Sequence, residues 1–358
     1  MCLRHIPEHK PIVIDLRSDT VTRPTPGMLD AMHQARTGDD VYGEDPTVNQ
    51  LQQLAMTMTG KAAALYVTSG TQGNLLALLS HCQRGDEYIA GQQAHTYKYE
   101  GGGGAVLGGI QPQPLPFNLR GELDLEEVRQ AIKPDDFHFA RTRLVCLENT
   151  QAGKVLALDY LQQYSNLMAE QGLQRHLDGA RLFNAAVKLG VDAKTICQHF
   201  DSVSICLSKG LGCPVGSLLV GDVALIARAR RWRKMLGGGM RQAGVIAASG
   251  IYALQHQVQR LQTDHDHAAL LGQAITGLQY LRLAEPVVTN MVILDSSSVA
   301  MPRLMSFLAA RQIRITGPRL VIHLDISSAD IQLVIAALQE FDALPADLPA
   351  SHRRLSGS

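Results

Sequence analysis

The sequence predicts an α/β protein whose large domain is a mostly parallel, doubly wound sheet, followed by a smaller C-terminal α+β domain, and three observations predict it. First, short and nearly continuous apolar runs recur: AALYVT (63–68), RLVCLEN (143–149), RHLDGA (175–180), SVSICLS (202–208) and SLLVG (217–221). Runs without polar alternation mark strands buried on both faces. Second, stretches of helical spacing lie between several of them, and such alternation packs helices on both faces of a parallel sheet. Third, the pattern changes near residue 245 to a long helical region rich in Gln and His, then VVTNMVILD, IRIT, RLVIHLDI and a closing helix, SADIQLVIAALQEF. We place a large domain at 14–245, a small one at 246–345 and a tail at 346–358, whose last residues, LSGS, are left out of the fold.

The elements follow in order. PTVNQLQQLAMTMT (46–59) has apolar side chains at helical spacing behind a proline, with Gly60 as its stop. AALYVT reads as a strand, SGTQGN as a turn, LLALLSHC as a helix and DEYIAG (86–91) as a short strand. A glycine run (101–104) and the turn-rich QPQPLPFN precede DLEEVRQAIK, where Asp124 followed by Glu127 is a capping-box signature.

Composition narrows the function. The chain has 358 residues, 46% hydrophobic and 18% charged, enough for a sizeable core. Lys plus Arg and Asp plus Glu both number 33, so the net charge is zero and offers no broad footprint for nucleic acid or an anionic membrane. A small neutral or zwitterionic ligand fits better. Cys2, Cys82, Cys146, Cys197, Cys206 and Cys213 form no CxxC pair or His/Cys metal spacing, so we expect free thiols in a reducing compartment and no metal. MCLRHIPEHK lacks the apolar core of a signal peptide, no run is long enough to span a membrane, and the cytoplasm is the expected location.

Three short stretches carry chemistry. SICLSKGLG ends an apolar run on Lys209, HLDGAR ends another on Asp178 and Arg181, and TSGTQGNLL places Ser69, Gly70 and Thr71 where a strand becomes a helix. Alone, each has an ordinary reading: a surface lysine, an Asp-Gly turn, a packing glycine. Together they supply an amine, an acid and an anion cradle at the carboxyl edge of a sheet. Those are the three things pyridoxal phosphate asks of a protein.

At this point the chain resembles the low-specificity L-threonine aldolases, pyridoxal-phosphate lyases of the aspartate-aminotransferase fold, or fold type I. The stretches that carry the resemblance are IDLRSDTVTRPTPGM, GDDVYGEDPTVN, SGTQGNLLALLSHC, HLDGARLFNA, SICLSKGLGCPVGSLLVG and RWRKMLGGGMRQAG, and it runs from about residue 14 to about 340. The resemblance implies cleavage of L-threonine, L-allo-threonine and related β-hydroxy-α-amino acids to glycine and an aldehyde, reversibly, through a Lys209 Schiff base and a glycine quinonoid. It implies that Asp178 faces the pyridine nitrogen, that Ser69, Gly70 and Thr71 hold the phosphate, and that His95 stacks on the ring. Ser18, Arg181 and Arg319 match the groups that hold the substrate carboxylate, a task suited to a planar guanidinium. Lys234 and Arg241 match residues that reach the phosphate of a neighbouring subunit's cofactor, so a homodimer or homotetramer with shared active sites is expected, and the basic run around them needs no nucleic acid.

One departure stands out. ENTQAGKVL has Gln151 where the family usually has a histidine that contacts the substrate hydroxyl. Glutamine can hydrogen-bond but cannot act as a base near neutral pH. His95 or a water is therefore expected to take the hydroxyl proton, with Gln151 orienting it. Rival readings are a β-eliminating lyase or a transaminase on the same fold, or a protein that binds the cofactor without turnover.

Overall fold

The computed structural model describes residues 13–344; MCLRHIPEHK, with Cys2, and the 346–358 tail, with LSGS, fall outside them. Eleven strands are described: β1 (Ile14–Asp15), β2 (Ala63–Val67), β3 (Asp86–Gly91), β4 (Gln111–Leu115), β5 (Arg141–Glu148), β6 (Gln174–Gly179), β7 (Ser202–Cys206), β8 (Ser217–Gly221), β9 (Met291–Ile293), β10 (Ile313–Arg314) and β11 (Arg319–Val321). Contacts divide the chain into two units, one of them Thr22–Gln262 and the other made of the described residues up to Val21 and from Thr263 onward.

The first unit holds a seven-stranded sheet in the order β2-β8-β7-β6-β5-β3-β4. β8 runs antiparallel to both its neighbours, while the other pairings are parallel, so the carboxyl ends of β2, β3, β5, β6 and β7 all point to one edge. Successive side chains divide between opposite faces, as strand geometry requires. Tyr66, Val145, Leu147, Leu218 and Val220 enter one apolar cluster, whereas Leu65, Val67, Leu144, Cys146 and Leu219 enter others. Burial on both sides explains why these strands read as continuous apolar runs, and the sheet is mostly parallel as predicted.

Two local expectations were wrong. SGTQGN is not a turn: the helix Gly70–His81 begins there, with Ser69 as its cap accepting from the Gln72 amide at 3.1 Å. QPQPL is not a loop but β4, an edge strand paired only with β3, a position where prolines need not donate to a second neighbour. The helix Pro46–Thr59 ends at Gly60, whose φ of +69° places it in the left-handed region, and Asp124 caps Leu125–Ala131 through the Glu126 and Glu127 amides. The five described cysteines are buried and unpaired.

In the second unit β1 pairs in parallel with β10, and β9 pairs antiparallel with β11. Leu304, Leu308, Ile331, Val334 and Leu338, from the helices Met301–Ala309 and Ser328–Asp342, pack with Leu16, Val292 and Leu320 in one cluster. Ser327 and Asp330 close a capping box at the start of the last helix. Among the described residues no helix is long and apolar enough to cross a membrane.

Candidate active site

Strand direction places the predicted chemistry. Asp178 lies at the carboxyl end of β6, Ser69 and Lys209 follow the ends of β2 and β7, and His95 follows β3 by four residues. Glu148, which the sequence reading passed over, ends β5 and is in register with Asp178.

Gly70 opens its helix against β7. A Cβ there would stand 2.6 Å from the Cys206 sulfur, so only glycine lets the helix start come so close. Ser69 serves the Gln72 amide, and the Gly70 and Thr71 amides precede it at a helix start, where N–H groups lack intrahelical acceptors and the dipole favours an anion. Lys209 is half-buried in the turn after β7. Its carbonyl accepts from the Gly212 amide at 2.8 Å and the Thr22 hydroxyl at 3.0 Å, which pins the backbone from which its ammonium projects.

Asp178 is buried and accepts from the Ala180 amide at 3.0 Å and from Asn74 Nδ2 at 2.8 Å. The same Asn74 nitrogen donates to Glu100 Oε1 at 2.7 Å. Glu100 Oε1 lies 2.7 Å from His95 Nδ1, and the His95 amide donates to Glu148 Oε2 at 2.8 Å. His95, Glu100 and Asp178 thus meet, with one nitrogen or oxygen of each within 4.8 Å of the others. Hydrogen bonding to Glu100 raises the His95 imidazole above its ordinary range, a shift that burial opposes. Burial raises Glu100 although His95 and Asn74 pull it down, and burial together with the Asp178 charge raises Glu148.

The remaining predicted residues lie as follows. Arg181 immediately precedes the helix Leu182–Leu189, and its charge acts on Glu148. Gln151 is buried in a short bridge with Lys154, its side-chain oxygen 3.1 Å from the place of a Cβ on Gly121. Lys234 and Arg241 are exposed, and Arg241 pairs with Asp39 at 2.8 Å. Ser18 and Arg319 belong to the other unit: the Ser18 hydroxyl bonds that of Thr20 at 2.9 Å, and Arg319 opens β11, exposed.

The basic run is not wholly a solvated face. Arg233 is buried, donates to the Tyr66 carbonyl at 2.7 Å and pairs with buried Asp40 at 2.7 Å. Its place on the inner side of the helix Val223–Met235, with Ile226 and Ala229, was visible in the helical spacing. Asn74, Glu100 and His176 were missed as well. For Asn74 and His176 the available signal was polar side chains within otherwise buried segments, including Ser202 and Ser204 alternating along SVSIC, whereas Glu100 lies among exposed neighbours and gave none.

Comparison with known proteins places the chain. The beta-eliminating lyase family model matches residues 15–297. The low specificity L-threonine aldolase of Escherichia coli K12 is 52% identical over 334 residues, covering 92% of this chain and 99% of that protein. The chain belongs to the low-specificity L-threonine aldolases. That makes it a lyase of a pyridoxal-phosphate-dependent family. An aldolase of the same name from Arabidopsis thaliana, low-specificity L-threonine aldolase 1, is 41% identical over 342 residues, covering 91% of this chain and 96% of its own. Among solved structures, Leishmania major threonine aldolase superposes with a TM-score of 0.78 at 20% identity, over 92% of this chain and 100% of that one, which speaks for the fold.

Proposed function

We propose that this aldolase cleaves L-threonine, L-allo-threonine and related β-hydroxy-α-amino acids reversibly to glycine and an aldehyde. The observation that carries the reading is the gathering of Lys209, Asp178, His95 and the Ser69–Thr71 helix start on one sheet edge, in a chain 52% identical to a named threonine aldolase.

The residues present suit pyridoxal phosphate. The helix start at Gly70, with its unpaired amides, suits the phosphate, the buried carboxylate of Asp178 suits the ring nitrogen, and Lys209 offers the amine. Once bound, the cofactor supplies an aldehyde for amines and a cationic ring that draws electrons from the substrate's α-carbon. Asp178, fixed by Asn74 and the Ala180 amide, holds the proton on that ring nitrogen. Lys209 Nζ is the amine that would hold the cofactor. Arg181 would hold the substrate carboxylate, which fixes the orientation of the bond to be broken. His95 Nδ1 donates to Glu100, so Nε2 is the acceptor that takes the β-hydroxyl proton, and Gln151 orients that hydroxyl.

The pH dependence follows from the His95 shift. A base works only when unprotonated, so kcat/KM rises with pH through the imidazole's pKa. Glu100 and Asp178 raise that pKa, while Lys209 and burial lower it, with Glu100 the largest influence. The acid limb is expected above the ordinary histidine value of about 6.5. Glu100→Gln should move it to lower pH, and an unmoved limb in the pH–rate profile would remove His95 from the role.

Lys234 and Arg241 are assigned to the phosphate of a neighbouring subunit's cofactor, in a homodimer or homotetramer. In support, Met235, beside Lys234, and Tyr42, three residues from the Asp39 that pairs with Arg241, are 72% and 75% exposed, apolar surface of the kind a second copy covers. Buried unpaired cysteines support a reducing, cytoplasmic setting.

The test is purified protein given threonine, allo-threonine and phenylserine stereoisomers, with glycine and aldehyde both measured and the assembly sized by sedimentation. Equal yields of the two products are expected. Pyruvate and ammonia, or a keto acid, would overturn the reading in favour of an eliminating lyase or a transaminase.

A further inference from the structure

Behind Asp178 runs a line of polar side chains that the reaction itself does not touch. Asn74, in the second turn of the helix Gly70–His81, uses both ends of its amide. Its nitrogen donates to Asp178 at 2.8 Å and to Glu100 at 2.7 Å. Its oxygen lies 2.5 Å from the Ser204 hydroxyl and 3.1 Å from His176 Nε2. His176 Nδ1 is 2.8 Å from the Ser202 hydroxyl, which is 2.7 Å from His81 Nε2. Asn74, His176, Ser202 and Ser204 are all essentially buried.

The direction of each proton follows. An amide facing two carboxylates must present its nitrogen, so its oxygen faces His176, and His176 Nε2 must carry the hydrogen. Burial holds His176 down to about 3 and His81 down to about 4, so both rings are neutral. A neutral ring protonated on Nε2 accepts at Nδ1, so Ser202 donates its only hydroxyl hydrogen there. Ser202 then accepts from His81. Every donor in the line points toward the acids.

We infer that Asn74 is a positioning residue, held by the one-way donor chain His81, Ser202 and His176, which fixes Asp178 and Glu100 relative to each other. Asp178 would meet the cofactor's ring nitrogen, and Glu100 sets the imidazole of His95. A single amide thereby holds both acids, one of them for the cofactor and the other for the base. This rests on the cofactor roles proposed above. The alternative role for such a network is packing alone, and the two separate on whether donor direction matters.

The experiment compares Asn74→Leu, His176→Leu and His176→Gln with the parent protein. Glutamine at 176 can still donate to the Asn74 oxygen and accept from Ser202, whereas leucine can do neither. Circular dichroism of the apoproteins checks folding, and titration with pyridoxal phosphate reads affinity and the visible spectrum independently of turnover. Asn74→Leu and His176→Leu are expected to weaken cofactor binding and lower kcat, each on the order of tenfold, with KM within about threefold. His176→Gln is expected to stay within about threefold of the parent on every measure. The inference is overturned if the two His176 variants behave alike, or if folded Asn74→Leu binds with the parent's affinity and spectrum. If Asn74→Leu does not fold, the His176 pair decides. A parent that takes up no pyridoxal phosphate would overturn the functional reading and this inference with it; a parent that binds, with variants indistinguishable from it, overturns the inference alone.

Discussion

Lys209→Ala is expected to lower the rate of amino-acid cleavage by on the order of 10³-fold or more, because the proposed function rests on this amine as the cofactor's anchor. The fold should survive. The Thr22 and Gly212 bonds at this turn go to the Lys209 carbonyl, which alanine retains. Apoprotein unfolding should therefore match the parent's, while bound cofactor is lost on desalting. Borohydride reduction followed by peptide mass spectrometry should mark Lys209 in the parent and nothing at that position in the variant. Cleavage at more than about a tenth of the parent's rate would place the anchoring amine elsewhere.

The largest stability effect is expected at Arg233. Its guanidinium and the Asp40 carboxylate are 3% and 2% exposed and 2.7 Å apart. The guanidinium also donates to the Tyr66 carbonyl. Arg233→Met keeps the volume of the stem but strands a buried charge, at a cost of about 3–5 kcal/mol. Asp40→Leu in the same chain removes the stranded charge, and the double variant should recover much of that loss. Denaturant unfolding of the single and double variants measures both. A single variant within about 1 kcal/mol of the parent would show that water reaches Asp40.

What could be read in advance divides along a physical line. Strands such as 202–206 and the helix 46–59 declare themselves locally, through runs, spacing and caps. The placement of Lys209 and Asp178 at strand ends was legible because a polar residue ending an apolar run is itself a local signal. The start of the helix at Gly70 was hidden because glycine there answers a close approach to Cys206, more than a hundred residues away, rather than a turn. The strand QPQPL was hidden because the freedom to place proline depends on being at an edge, which only the strand order reveals. Asn74, Glu100, His176 and Ser202 come from four separate stretches, and nothing local says that they meet. Arg233 lies between these cases: its spacing was legible, but its partner in GDDVYG was not.

The strand order also bears on how the chain is made. β2 is the first strand of its sheet to be synthesised, yet it pairs only with β8, roughly 150 positions later, a long-range contact of the kind that slows folding. At about 5–20 residues per second, ribosomes need on the order of ten seconds to supply that mate. Throughout that interval Leu65, Tyr66 and Val67 have no strand to dock on, so nascent chains stopped before Ser217 should bind chaperones and resist protease poorly, whereas released chains should not.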